Sequence, residues 1–369
     1  MKFIKFSQIL DFQKKSHIKA GDGLSEGSFP FFTSSPILSK YSDSFQFDLP
    51  SLIFGTGGSA SVHICEKPFA VSTDCLAAQL KPSATHKFEI KFIYYYLSGN
   101  IWILEEGFKG AGLRHISKGY INNIDIPELS FEDQKRIVKI LDEADTLRQK
   151  RKQAIEFLDD YLKSVFLEMF GEPVKNPKSW EKQKFEKLGT LDRGKSKHRP
   201  RNAPELLGGE HPLIQTGDVA NAGIYIEKYT STYSDIGLKQ SKKWPKGTLC
   251  ITIAANIAKT GILKFDACFP DSVVGFVADT NKTNSKFIHF WMSFFQKILE
   301  DNAPESAQKN INLKILRELD VINPPLNLQN KFADIVAKTE SLKQKMIIQS
   351  EELENQFQAL MQKAFKGTL

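Results

Sequence analysis

A chain of 369 residues exceeds the roughly 100–200 that one hydrophobic core organises, so two or more domains are expected. Fifty Lys and Arg against 43 Asp and Glu leave a net charge of +7, a mild basic excess that suits nucleic acid without demanding it. No apolar run approaches the roughly 18 residues of a membrane span, Lys2 and Lys5 break the N-terminus before a signal-peptide core forms, and Cys65, Cys75, Cys250 and Cys268 are too scattered for a metal site or a disulfide framework, which makes a reducing cytoplasm the simplest home.

Taken in chain order, the first distinctive stretch is the basic segment Lys14-Lys15-Ser16-His17-Ile18-Lys19. Ser51-Leu52-Ile53-Phe54 and Phe69-Ala70-Val71 are expected as short strands bounded by Gly and Pro. Between them, Gly55 to Ala60 satisfies the dinucleotide pattern G-x-G-x-x-A, but Ser61 to Cys65 has the character of another strand where a helix is required. An aromatic helix is predicted over Lys87 to Leu97, and its rings belong to a core rather than to a base-stacking platform.

A much longer helix follows. Ser130 can cap it, Asp133 completes a capping-box pattern, and Gly171 with Pro173 ends it. Ile137, Ile140, Ala144, Leu147, Ala154, Leu158, Tyr161 and Val165 recur at heptad positions, interrupted by Arg151.

Gly189 to Ser196 matches the phosphate-loop pattern G-x-x-x-x-G-K-[ST], yet the residues after it are basic, lack apolar spacing and include Pro200 and Pro204. What remains of that segment is a second basic loop, Lys195-Ser196-Lys197-His198-Arg199-Pro200-Arg201, which aligns with the first when His17 is set on His198. Each loop precedes a Gly-x-x-Pro, at Gly27 and at Gly209. Two such loops suit two successive faces of a duplex, where phosphate contacts supply affinity and set register. Thr56, Gly57, Gly58 and Ser59 in the first half, and Gln215, Thr216 and Asn256 in the second, are the neighbouring candidates for reading base edges.

Strands are expected again at Thr248 to Ile253 and Asp271 to Val277, followed by a second aromatic helix at Phe287 to Met292. Asn323-Pro324-Pro325-Leu326 resembles the N-P-P-[YF] signature of adenine-amino methyltransferases, but Leu326 cannot stack on a flipped base, and paired prolines are a natural stop before a helix. That second long helix carries Phe332, Ile335, Thr339, Leu342, Met346, Leu353 and Leu360 at heptad positions, with Gln349 and Gln356 between them. The seven histidines show no ligand spacing, and no catalytic or metal constellation emerges.

Residues Phe92 to Phe170 recur as Phe287 to Phe365 at a constant offset of 195, with Ala144-Asp145-Thr146-Leu147-Arg148-Gln149-Lys150 reappearing as Thr339-Glu340-Ser341-Leu342-Lys343-Gln344-Lys345. A period this long exceeds the roughly 20–50 residues of solenoid units, so each copy should be a domain plus a connecting element. The expected fold class is α+β: two mixed α/β domains in a pseudo-two-fold arrangement, joined by two long helices that form an antiparallel coiled coil.

The alternation of variable domain and long helix, over nearly the full chain, resembles the specificity subunit of type I restriction-modification systems. The marks are Ile126-Pro127 followed by Glu132-Asp133-Gln134-Lys135-Arg136-Ile137, and Pro324-Pro325-Leu326 followed by Gln329-Asn330-Lys331-Phe332-Ala333-Asp334-Ile335. Gly55 to Ser59 and Lys246-Gly247-Thr248-Leu249 are similar to the family's glycine-containing strand and turn. The resemblance implies target recognition domains at 1–127 and 173–323, with spacer helices at 128–172 and 324–369. It implies that each domain reads half of a bipartite double-stranded DNA target, that the helices set the separation, and that two methyltransferase subunits and motor-nuclease subunits join the complex. S-adenosylmethionine, ATP and Mg²⁺ then belong to those partners, and this chain carries no cofactor and no catalysis. Two other functions stay open on the residues: a DNA adenine methyltransferase using Asn323 to Leu326, and a coiled-coil adaptor without DNA specificity.

Overall fold

The computed structural model describes residues 2–254, 257–301, 311–366 and 369. They form two compact units: Met1–Gln153 with Ile347–Leu369, and Ala154–Met346. The boundaries fall inside the two long helices, Phe131–Phe170 and Leu326–Lys366, so each unit owns a stretch of both.

Unit 1 is α+β. Its main sheet is antiparallel in the order Leu10–Phe12, Cys75–Leu80, Ser51–Gly55, Val62–Cys65. A three-stranded sheet orders Lys40–Ser42, Phe29–Phe32 and Ala70–Val71. Lys2–Lys5 pairs antiparallel with Asp125–Glu128, clamped by a 2.7 Å ion pair between Lys5 and Asp125. The aromatic helix Ile90–Gly99 buries Phe92 and Tyr95 in a core that also takes Phe6, Phe54, Leu141 and Phe357. The two long-helix stretches run antiparallel here: Arg136 donates to the Leu369 carbonyl at 3.0 Å, and Arg148 meets Glu354 at 3.0 Å with its guanidinium 4.2 Å from the Phe357 ring centroid.

Unit 2 repeats the plan. The main sheet is ordered Gly189–Arg193, Val273–Ala278, Leu249–Thr252, Thr260–Leu263, Tyr225–Ile226, and the second Ser231–Tyr233, Leu207–Leu213, Ala267–Cys268, Lys243–Trp244. Lys182–Lys184 pairs with Asp320–Ile322 and is clamped by Lys184 and Asp320 at 2.6 Å, as Lys5 and Asp125 are in unit 1. The helix Ser285–Asp301 buries Phe287 and Trp291 against Phe166, Phe170, Phe185 and Phe332. The long helices are again antiparallel, with Asp159 and Lys343 at 2.6 Å and the rings of Phe166 and Phe332 5.4 Å apart. The aromatic helices are therefore core, as their spacing predicts.

The helix boundaries follow local chemistry. Ser130 accepts the Asp133 N–H at 3.1 Å and donates to its carboxylate at 2.6 Å, while Gly171 takes φ +77° at the far end. Two details differ from the sequence expectation. The first aromatic helix starts at Ile90 rather than Lys87, because the fully buried Gln134 binds the lead-in: its Nε2 donates to the Lys87 carbonyl at 2.9 Å and its Oε1 accepts the Glu89 N–H at 3.0 Å. Gln329, the residue 195 positions on, is also fully buried and donates to the Lys282 and Pro324 carbonyls at 3.3 and 2.8 Å.

The heptad seam also differs. Leu147 and Tyr161 are 57% and 50% exposed, whereas Leu141, Leu162, Phe166 and Phe170 are buried. Leu162, Phe166 and Phe170 follow a spacing of four because that stretch packs on the globular core as well as on the other helix, which departs from the strict heptad.

Candidate nucleic-acid interface

In unit 1 the loops at one end of the main sheet are gathered around Ser72–Asp74. Ser72 N–H donates to the Phe32 carbonyl at 2.8 Å and Thr73 N–H to the Ile18 carbonyl at 2.8 Å. The Asp74 carbonyl accepts the Thr56 N–H and hydroxyl, each at 2.9 Å, and the Ser34 hydroxyl at 2.7 Å. The Lys14–Lys19 segment and the Thr56–Ser59 turn are thereby brought to one place. Ser16 points inward, accepting from the Gln46 amide at 2.8 Å, which turns Lys14, Lys15, His17 and Lys19 out to solvent. Gly58 sits at φ +79°, a conformation that favours glycine, and it and Ser59 form the exposed tip. The Thr56 donor is spent on Asp74, so its hydroxyl shapes the turn. His63, beside this cluster, is held below the ordinary imidazole range by burial, although its Nε2 donates to the Ser35 carbonyl at 3.0 Å.

Unit 2 builds the corresponding cluster on Asp271–Val273. Gly194 N–H donates to the Val273 carbonyl at 2.9 Å, and a Cβ at Gly194 would collide with the Phe269 and Pro270 carbonyls. Ile253 N–H donates to the Ser272 carbonyl at 3.1 Å, the counterpart of Thr56 on Asp74. Ile311 N–H reaches the Ile253 carbonyl at 3.0 Å, as Ile116 N–H reaches that of Thr56 at 3.1 Å. The second basic loop is pinned from behind: Lys197 and His198 N–H donate to the Gln240 amide oxygen at 2.6 and 3.1 Å, and the Ser241 hydroxyl donates to the Lys195 carbonyl at 2.8 Å. Ser196 is buried, and Lys195, Lys197, Arg199 and Arg201 are exposed, the same inward-and-outward alternation as in unit 1.

The arginines are less available than their sequence suggests. Arg201 pairs with Asp271 at 2.5 Å, while Arg199 lies 3.8 Å from the same carboxylate and donates to the Ser196 and His198 carbonyls at 2.6 and 2.8 Å. His198 stands 3.7 Å from Glu205. Gln215 is exposed just beyond the strand Leu207–Leu213, Thr216 is half-buried at the start of a short helix, and Ile214 N–H ties them to the Cys268 carbonyl at 2.8 Å. Asn256 lies outside the described residues. A cavity of about 480 Å³ opens among these loops, lined by Arg193, Arg201, Asp271 and Asn312. Arg193 stands at a variable position of the Gly189–Ser196 pattern and Asn312 in no basic run or motif, so sequence singled out neither.

The tempting motifs take structural roles. Gly189–Arg193 is a strand in the main sheet rather than a phosphate loop, and Gly55 ends a strand from which Thr56 to Ala60 turns into the next. Asn323 and Pro324 supply acceptors to the Gln329 amide at 3.3 and 2.8 Å, anchoring the start of the second long helix. Among the described residues no three His, Cys, Asp or Glu side chains converge as a metal requires. All four cysteines are buried thiols, and burial pushes Cys75 up to about 11, which keeps it protonated and unreactive. Among the described residues no helix is long and apolar enough to cross a membrane.

Residues 1–157 and 177–354 match the family model of the type I restriction modification DNA specificity domain. The chain is 24% identical over 381 residues to the type I restriction enzyme EcoDI specificity subunit of Escherichia coli, a match spanning 93% of this chain and 83% of that one. It is 22% identical over 242 residues to the MjaX specificity subunit of Methanocaldococcus jannaschii, covering 61% of this chain and only 56% of that relative's length. In fold it is similar to the crystal structure of a type I restriction-modification S subunit from M. genitalium, with a TM-score of 0.62 at 16% identity over 98% of this chain and 95% of that one.

Proposed function

The chain belongs to the type I restriction modification DNA specificity family, and on that footing we propose that it is the DNA-reading subunit of such a complex, with unit 1 and unit 2 each reading one half of a bipartite duplex target. The observation that carries this reading is the recurrence of one loop cluster: a strand-end segment, Ser72–Asp74 or Asp271–Val273, holds the end of a neighbouring main-sheet strand, at Thr56 or Ile253, beside an outward-facing basic segment in each unit. Outward lysines supply phosphate contacts that fix register, and the turns between them present hydroxyl and amide groups to base edges.

The long helices have 40 and 41 residues, or about 60 Å each at 1.5 Å per residue. In this reading they set the half-site separation, since two modules on a stiff spacer engage only spacings near one DNA turn or its multiples. They also dock two methyltransferase subunits. Leu147 and Leu342, at corresponding positions of the preserved heptapeptide, are 57% and 49% exposed, an apolar foothold present once per copy. Motor-nuclease subunits complete the assembly in the cytoplasm. Chemistry with S-adenosylmethionine, ATP and Mg²⁺ resides on those partners, and this chain positions them without catalysing.

Footprinting on host DNA with the methyltransferase subunits present tests the reading. Two protected blocks around an untouched spacer are expected, and the absence of any protection refutes it. Calorimetry of the chain alone with S-adenosylmethionine should show no heat; binding there would favour a methyltransferase instead.

A further inference from the structure

Resting on that DNA-reading function, we propose that the loop Lys109–His115 of unit 1 is a DNA-contacting finger whose Leu113 packs on an apolar base surface, with Lys109 and Arg114 beside the flanking phosphates. Leu113 is 83% exposed, more than any other large hydrophobic side chain among the described residues. A single exposed leucine is ordinary on a protein surface. What distinguishes this one is the rigidity and the position of the loop that presents it.

The loop closes on itself: Lys109 N–H donates to the His115 carbonyl and His115 N–H to that of Lys109, both at 3.0 Å. Gly110 adopts φ +143°, and the Leu113 carbonyl lies 2.7 Å from where a Cβ would stand, so only glycine closes the turn. Arg114 braces the neck by donating from Nε and Nη2 to the Phe108 carbonyl at 3.3 and 3.1 Å. At its base the finger is fastened to the recognition turn. Ile116 N–H donates to the Thr56 carbonyl at 3.1 Å, His115 Nδ1 lies 3.1 Å from the same oxygen, and the His115 ring rests where a Cβ on Gly57 would meet it at 3.2 Å. The Thr56 segment is itself held by Asp74, next to the residue that anchors Lys14–Lys19.

A fastened loop with an apolar tip and cationic flanks, rising from a basic loop cluster, suits a groove whose walls are phosphate and whose floor is base. An apolar base surface has two sources: a thymine methyl, or the face of a base pair exposed by an opened step.

The test uses the complex with its methyltransferase subunits and the duplex it protects. Leu113→Ala should weaken binding about tenfold, or about 1.4 kcal/mol, a fraction of what a leucine gains on burial. Its melting temperature should be unchanged, because the side chain touches solvent. Replacing thymines by uracil in the half-site of unit 1 erases the difference between Leu113→Ala and the parent if a methyl is the contact. A 2-aminopurine in that half-site brightens with the parent and not with Leu113→Ala if an opened step is the contact. Either response supports the finger. Binding by Leu113→Ala within twofold of the parent, while Lys14→Ala with Lys15→Ala still weakens it, overturns the finger and leaves the DNA-reading function standing. A weakened Leu113→Ala with neither probe responding overturns the base contact. A parent complex that protects no duplex refutes the underlying function instead.

Discussion

Replacing Gln134 by Leu should loosen unit 1 and leave unit 2 intact, and Gln329→Leu should do the reverse. Gln134 is fully buried, donates to the Lys87 and Leu129 carbonyls at 2.9 and 3.0 Å, and accepts the Glu89 N–H at 3.0 Å. Leucine fills similar volume, so no large cavity opens, but two carbonyls and an N–H lose their partner. At about 1 kcal/mol for each stranded group the cost is about 3 kcal/mol, a hundredfold rise in the opened population. Gln329→Leu strands the Thr283 hydroxyl, which donates to its Oε1 at 2.8 Å, together with the Pro324 carbonyl at 2.8 Å. Hydrogen exchange read by peptide mass spectrometry separates the two units. Faster exchange is expected in 2–153 for the first variant and in 154–346 for the second, with protection lost at one half-site only. Variants that both stay within about 0.5 kcal/mol of the parent, against the expected cost of buried groups left unpaired, or that loosen both units equally, would refute the reasoning.

Alanine at Lys14, Lys15 and Lys19 together should lower the slope of log affinity against log salt by up to about three units, each lysine meeting one phosphate. Removing Lys195 and Lys197 should lower it by up to about two, and adding Arg199→Ala changes it less per residue, because Asp271 stands 3.8 Å from that guanidinium. A changed sequence preference at constant slope would contradict both. Burial raises the Glu340 carboxyl above its ordinary 4.5, and its Oε1 is buried without a hydrogen-bond partner. A raised acid keeps its proton to a higher pH in the folded chain than in the unfolded one, so its contribution is fully present below pH 4.5 and is lost as pH climbs through the folded value. Glu340→Gln should therefore raise the melting temperature of the chain at neutral pH and give no gain below about pH 4.5; a pH-independent gain rules this out. Arg148 lies between Asp145 and Glu354, at 3.2 and 3.0 Å, and covers the Phe357 ring, so Arg148→Met should cost unit 1 about 1 kcal/mol in urea denaturation.

Local chemistry made much of this protein legible. A serine three residues ahead of Asp133 and a glycine after Phe170 bound the first long helix, and the repeat at offset 195 marks the two long helices as counterparts. The basic runs themselves were visible, but that Ser16 and Ser196 turn inward and their lysines outward emerged only with the folded loops. Contacts made across long sequence separations were a different matter. The heptad spacing puts Leu147 on the seam and passes over Leu141, yet packing against the globular core buries Leu141 and leaves Leu147 57% exposed. Three residues predicted as helix at Lys87–Glu89 were drawn into a turn by the amide of Gln134, whose competing hydrogen bonds exist only after residues 47 positions apart have met. The Arg201–Asp271 pair and the seat of His115 on Gly57 arise the same way. Such partners are chosen by the folded chain as it pairs buried polar groups and closes loops, and no window of neighbouring residues contains that choice.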